Sequence, residues 1–194
     1  MFTEKFDKAQ EEAGVAPTSK YFKFKEGKNR FRVLAGGEVV AYHRLNGKQV
    51  ACYGIRDGCP HHKTGSDKAS MKTVVYVLNK TNPVHQIQIA EFPWGVAKAI
   101  DSLRESDGWE FEELPMPYDI IVTAKNAGTL EVDYQVAPHP DKSPVPDEEL
   151  AKLAKMKPIA EVNQDKKDFA KKADGNADAP DASEKEINPE AIDF

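Results

Sequence analysis

Long apolar runs are missing from this sequence. No stretch approaches the roughly 18 residues that would cross a bilayer, and the N-terminal MFTEKFDKAQEE has no apolar centre of the kind a secretory signal carries. These absences predict a cytoplasmic protein with no membrane contact. Cysteine is scarce as well. Cys52 and Cys59 are the two present, and in a reducing compartment they argue against a structural disulfide and leave metal binding to be weighed. Enzyme signatures are also lacking: there is no glycine-rich phosphate loop, no nucleophile elbow and no His-Glu-x-x-His. Glu110, Glu112 and Glu113 cluster after Trp109, but acids in that setting read as a solvated surface. No catalytic role is expected.

The formal net charge of -5 over 194 residues argues against a polyanionic partner only if the charges are mixed, and they are not. From Lys20 to Lys80 thirteen Lys or Arg face four acids, a block of net +9. From Ala173 to Phe194 seven acids face Lys185 alone, a tail of net -6 before its carboxylate. A basic block followed by an acidic tail suits a protein whose folded part meets an anion.

The pattern along the basic block is that of strands. In Tyr21-Phe22-Lys23-Phe24-Lys25 and in Arg30-Phe31-Arg32-Val33-Leu34, apolar and basic residues alternate with period two around a Glu26–Asn29 turn. That alternation places Phe22, Phe24, Phe31 and Val33 on one face and Lys23, Lys25, Arg30 and Arg32 on the other. After Gly36-Gly37, the run from Glu38 to Leu45 reads as a strand closed by Asn46-Gly47, with Val50 to Tyr53 returning. Residues 71–79 and 85–92 read as two further strands, and 118–123 with 130–136 as a final hairpin. Between them Pro93 opens a helix whose Val96, Ala99, Ile100 and Leu103 share a face, ending near Gly108.

Six or seven short strands at about ten-residue spacing suggest a mainly β fold, a small barrel or a sandwich rather than a parallel sheet, and the one interrupting helix favours an OB-type small β-barrel with an inserted helix. The expected organisation is an N-terminal arm or amphipathic helix over 1–19, a barrel domain over 20–146, a short helix and linker over 147–172, and a disordered acidic tail over 173–194. In the arm, Phe2, Phe6, Ala9 and Ala13 fall on one helical face, which fits either a helix packed on the domain or an arm that links protomers.

Binding single-stranded nucleic acid requires a cationic groove for phosphates and aromatic faces for bases, and the basic block supplies both residue types. The candidate contacts are Lys23, Lys25, Arg30, Arg32, Arg44, Lys48, Arg56 and Lys72 for phosphates, with Tyr42, Tyr53 and Tyr76 for stacking. Within twenty residues of the same block lie His43, Cys52, Cys59 and His62, a set of thiolates and imidazoles compatible with one closed structural zinc site. His61 could take the place of His62, and two unpaired cysteines beside incidental histidines remain the alternative. The tail ends Ile192-Asp193-Phe194. An apolar tip with a free carboxylate suits a pocket with a basic rim on another protein.

Residues 20–146 resemble the phage-type single-stranded DNA-binding proteins, and distantly the zinc-containing helix-destabilising proteins of large phages. The resemblance rests on Glu26-Gly-Lys-Asn-Arg-Phe-Arg-Val-Leu34, on the cluster from His43 to His62, on Val74-Val-Tyr-Val-Leu-Asn79, on Tyr118-Asp-Ile-Ile-Val122 and on Tyr134-Gln-Val136 before a proline-rich exit. Such proteins carry a Cys-Pro-x-Cys turn, where this chain has Cys59-Pro-His-His62. The tip is similar to the acidic, Phe-terminated tails of bacterial single-stranded DNA-binding proteins, without their penultimate proline. The resemblance implies an OB fold, sequence-independent coating of single strands in DNA replication, recombination and repair, recruitment of replication or recombination proteins by the tail, and residence in a host cytoplasm. A homo-oligomer or cooperative assembly on DNA stays open. The competing expectation is a transcription or recombination adaptor that uses the barrel mainly to bind protein.

Overall fold

A computed structural model describes residues 19–45, 47–62, 69–81, 85–140 and 142–175. Residues 1–18 of the arm expected over 1–19, and residues 176–194 of the expected tail with its tip Ile192, Asp193 and Phe194, lie outside the described residues. Among those described, no helix is long and apolar enough to cross a membrane.

The fold is mainly β, a six-stranded antiparallel sheet in the order β4-β3-β1-β5-β6 with β2 pairing β1. The strands are β1 (Gly27–Leu45), β2 (Lys48–Ala51), β3 (Ser70–Asn79), β4 (Gln86–Pro93), β5 (Ile120–Lys125) and β6 (Asp133–Pro138). The helices are α1 (Trp94–Ser102), α2 (Asp147–Leu153) and α3 (Ile159–Gly175). The sheet is not closed by hydrogen bonds between β4 and β6.

Not all the strands are short. β1 runs for 19 residues, through the Gly36-Gly37 pair that the sequence reading takes as a break. Its register against β3 shifts between Val33 and Ala35 and again between Gly36 and Glu38. Both glycines hold φ near +110°, where a side chain is strained. A Cβ on Gly36 would also stand 2.9 Å from the Val74 carbonyl oxygen and the Val75 Cα. The bulges bend β1 without breaking its ladder.

That bend lets one strand serve two cores. Phe31 and Val33 pack with Val77, Phe92, Tyr118 and Val122, and α1 joins them through Val96 and Ile100. Leu34, Val40 and Tyr42 turn to the other side and pack with Tyr76, Ile89 and the apolar stripe Ile159, Val162 and Ala170 of α3. The expected linker after the short helix is therefore a 17-residue helix, and Ala173 and Asp174 belong to its last turn rather than to the tail. The spacing of Ile159, Val162 and Ala170 explains it: these apolar residues share one helical face and are buried on the sheet, which holds a helix that is charged elsewhere.

The first basic-aromatic segment also differs from expectation. Tyr21 to Lys25 does not pair with 30–34, because β5 takes the place beside the start of β1, from Gly27 opposite Ala124 to Phe31 opposite Ile120. Instead Tyr21 forms a parallel bridge to Ile89 on the β4 edge, with the Phe22 amide donating to the Ile89 carbonyl at 2.8 Å and the Ile89 amide to the Lys20 carbonyl at 3.0 Å. The Phe24 ring centroid lies 5.0 Å from Tyr134 of β6 and 6.0 Å from Phe92 of β4. The N-terminal segment thus fills the seam between the two outer strands. The hairpin expected at Asn46-Gly47 is present as β1 and β2, with Leu45 opposite Lys48, although Asn46 itself is outside the described residues.

Asp119, just before β5, is fully buried. Arg30 and Arg32 donate to its two oxygens, Nε to Oδ2 at 2.8 Å and Nε to Oδ1 at 2.6 Å, and Lys80 Nζ lies 3.1 Å away. Arg32 also donates to the Ser143 carbonyl. Burial alone would raise the Asp119 carboxyl, but Arg30, Lys80 and Arg32 outweigh it and hold the group below its ordinary value. Asp119→Asn should lower the unfolding free energy by about 3–5 kcal/mol in urea titrations at neutral pH, because it leaves cations without a counter-charge. The carboxyl is depressed in the fold, so its contribution is complete above the unfolded value of about 3.9 and fades as pH falls through the lower folded value. The gap between wild type and variant should therefore hold at neutral pH and shrink in acid.

Candidate metal centre and basic surface

The candidate metal ligands come from two places and meet at the far end of β1. His43 stands on β1 opposite Val50. Cys52 follows β2, its amide donating to the Ala41 carbonyl at 2.8 Å. From there the chain turns on Gly54 and Gly58, both at positive φ, and the Cys59 amide returns to the Gly54 carbonyl at 3.1 Å. A 3₁₀ turn over Pro60–His62 then brings His62 back.

The ligand atoms of His43, Cys52, Cys59 and His62 all lie within 4.8 Å of one another, a group that could hold a metal ion. Cys52 Sγ is 3.0 Å from His62 Nε2, and Cys59 Sγ is 3.6 Å from His43 Nε2. These bracket the roughly 3.5 Å edge of a tetrahedral sulfur–nitrogen pair around zinc. Three of the four residues are buried and His62 is half-buried. Both cysteines are free thiols. The Gly54 amide donates to Cys52 Sγ at 3.3 Å. Burial, reinforced by the Cys52 sulfur, pushes the Cys59 thiol up; a cation among the four donors would offset that penalty.

His61 does not join the set. Its Nε2 lies 3.2 Å from Asp174 Oδ1 at the end of α3, while the Tyr53 hydroxyl donates to Asp174 Oδ2 at 2.9 Å. Burial first, and Asp174 second, push the Tyr53 phenol up to about 12. Asp174 therefore ties the last turn of α3 to residues that directly adjoin Cys52 and His62.

The residues expected to contact nucleic acid divide sharply. Tyr42 is buried, donating to Glu91 Oε1 at 2.7 Å, and burial together with Glu91 raises its phenol. Tyr76 is buried and donates to the Lys157 carbonyl at 2.8 Å. Tyr53 is half-buried on Asp174. The expectation of Tyr42 and Tyr76 as base platforms is corrected: α3 covers the sheet face they occupy. Arg32 is corrected likewise, since it is 0% exposed on Asp119, and Arg30 shares that carboxylate with its side chain one-third exposed. Lys72 is held by Gln49 Oε1 at 2.6 Å and Glu91 Oε2 at 3.2 Å. Lys23, Lys25, Arg44, Lys48 and Arg56 are exposed.

The sequence reading missed an exposed aromatic beside the candidate metal site. Trp94 is 64% exposed, one step beyond Pro93, which lies opposite Lys72. The same antiparallel step leads from Met71 to Ala41 on β1, and His43 is two residues further along the same face. Met71 and Val39 are also more than half exposed. An apolar strip with Trp94 at one side thus runs toward the metal-ligating loop, where Ile55 and Arg56 are exposed. The signal was available, because Trp94 falls off the Val96, Ile100 and Leu103 face of its own helix.

No family model, curated protein or solved structure matches this chain.

Asp174→Ala should speed amide exchange over residues 172–175, measured by hydrogen–deuterium exchange, while β1 and β3 keep their protection. Loss of protection confined to the last turn of α3 is the expected pattern, because the rest of that helix is held by Ile159, Val162 and Ala170.

Proposed function

We propose that this protein binds single-stranded DNA without sequence preference, coating it during replication, recombination and repair, on an OB-type barrel whose metal-ligating lobe carries one structural zinc. The observation that carries the reading is the exposed strip of Trp94, Met71 and Val39 beside a lobe and hairpin bearing Arg44, Lys48 and Arg56. Stacking on an exposed aromatic and salt-sensitive contacts from flexible cations are the two terms that bind single strands regardless of sequence.

The strand order supports an OB-type barrel. Three meandering strands, β1-β3-β4, are followed by α1, and β5 then returns to the other side of β1 with β6 outside it. Such a sheet becomes a barrel when its outer strands meet, and the Tyr21 to Phe24 segment lies in that seam. Two thiols and two imidazoles at tetrahedral spacing favour zinc over harder cations. His43, Cys52, Cys59 and His62 would hold it, and the ion would fix the loop that presents Arg56. The acidic tail beyond Gly175 competes with DNA for the exposed cations and offers Ile192, Asp193 and Phe194 to replication or recombination proteins.

Fluorescence anisotropy of a labelled single-stranded oligonucleotide and its duplex, across several salt concentrations, tests the central claim. Trp94→Ala should weaken single-strand binding by about 1–3 kcal/mol, whereas Tyr42→Phe, altering a hydroxyl inside the domain, should leave it unchanged. Arg56→Ala should weaken binding to all sequences alike and reduce the salt slope by about 0.7. Truncation after Gly175 should tighten binding. Absence of single-strand preference would move the protein-adaptor reading to first place.

Metal analysis of the purified chain should find a single zinc, lost in Cys52→Ser together with a fall in Tm. Zinc-free wild type with an unchanged Tm would remove the metal from the reading.

A further inference from the structure

Asp174 is a carboxylate in an unfavourable place. It sits in the last turn of α3, where the helix macrodipole disfavours negative charge, and its side chain is only 20% exposed. What holds it there is the candidate metal loop. Tyr53, next to Cys52, donates to Asp174 Oδ2 at 2.9 Å, and His61, next to His62, places Nε2 3.2 Å from Oδ1. The two ends of the loop thus meet on one side chain that lies 121 and 113 residues further along the sequence.

We infer that Asp174 is a positioning residue for the candidate metal site, and that an ion held by His43, Cys52, Cys59 and His62 in turn secures the last turn of α3. Local geometry makes the two interdependent. His61 and His62 share the 3₁₀ turn Pro60–His62, in which neighbouring side chains diverge by about 120°. One setting of that turn therefore aims His62 at Cys52 Sγ, 3.0 Å away, and His61 at Asp174. The His61 ring also packs beside a candidate ligand, its centroid 5.4 Å from that of His43. At the other end of the loop Cys52 and Tyr53 are consecutive. A ligand that turns away carries its neighbour off Asp174.

Given the zinc reading above, on which this rests, the linkage is one of geometry, because two thiolates neutralise a divalent ion and leave no net charge for Asp174 to answer. Between its two ends the loop turns on Gly54 and Gly58, and glycine loses the most conformational freedom on ordering. Without Asp174 the ion would have to restrain a freer loop, and its affinity would fall. Coupling of this kind is reciprocal: whatever factor Asp174 contributes to ion affinity, the ion contributes to closure of the helix end. The consequence reaches past the helix, since residues 176–194, with six acids against Lys185, follow directly on the turn that the ion secures.

Two measurements on the full-length protein without DNA test this, with zinc as the added ion, on wild type, Asp174→Ala and Tyr53→Phe, which removes a hydroxyl alone. In competition with a chromophoric chelator, Asp174→Ala should weaken zinc binding by about 5–10-fold, and Tyr53→Phe by less. In hydrogen–deuterium exchange, zinc should slow exchange severalfold over residues 172–175 of wild type. In Asp174→Ala it should still slow exchange over residues 52–62 but leave 172–175 unchanged. Equal zinc affinity in wild type and Asp174→Ala would reduce Asp174 to a helix-end contact and overturn the inference, as would exchange over 172–175 that ignores zinc in wild type. Should removing zinc unfold the whole chain, the affinity comparison decides. A chain that takes up no zinc overturns the metal reading along with this inference, whereas zinc uptake with equal affinities overturns this inference alone.

Discussion

A buried carboxylate organises this molecule. Asp119 gathers Arg30 and Arg32 from the start of β1, Lys80 from the end of β3 and, through its own backbone, the amide of His139 beyond β6. Four separate parts of the chain are thereby fixed around one charge. Taking such a charge out of water is costly, and it is tolerated because several donors satisfy both oxygens at once. The arrangement also takes up three of the thirteen cations, Arg30, Arg32 and Lys80, that make the front half of the chain look like a polyanion-binding surface. Net charge along a sequence is therefore a poor guide to which cations are available. Those on the Asp119 side stabilise the fold, and those at the β1–β2 end remain in water.

The second constraint is the bend of β1. Without the two glycines the strand could not approach β3 closely and then redirect its inward face, and the chain would have one core instead of two. The bend sets the geometry of the candidate site as well. Beyond it, Val40 and Tyr42 face α3, while Val39, Ala41 and His43 face the opposite way toward Met71 and the metal-ligating loop. One change in direction thus separates a covered aromatic face from an exposed apolar one.

Much of this was legible in the sequence where local pattern and global fold agree. The strands over 70–79, 86–93 and 120–138, the helix after Pro93 and the Asn46-Gly47 hairpin follow from periodicity and turn chemistry. The convergence of His43, Cys52, Cys59 and His62 into one group that could hold a metal ion follows from the chemistry of thiols and imidazoles in one short stretch. What could not be read was burial that depends on distant segments. The alternation that set Arg32 opposite Phe31 was right about faces, but nothing local announced that Asp119 and the 142–146 segment would cover the charged one. Tyr42 and Tyr76 were misjudged for the same reason, because the helix over them begins more than eighty residues after Tyr76. Its apolar stripe was present in the sequence, diluted by lysines and acids that kept the segment looking like a linker.

The strand-like segment at Tyr21 has a meaning beyond filling the seam. A sheet left open presents two rows of unpaired amides and carbonyls, each able to recruit another chain. By laying its own backbone on Ile89 and its Phe24 ring between Phe92 and Tyr134, the protein occupies with its own residues the places a neighbouring copy could take. The few residues before β1 thus act as a guard against cross-chain sheet growth.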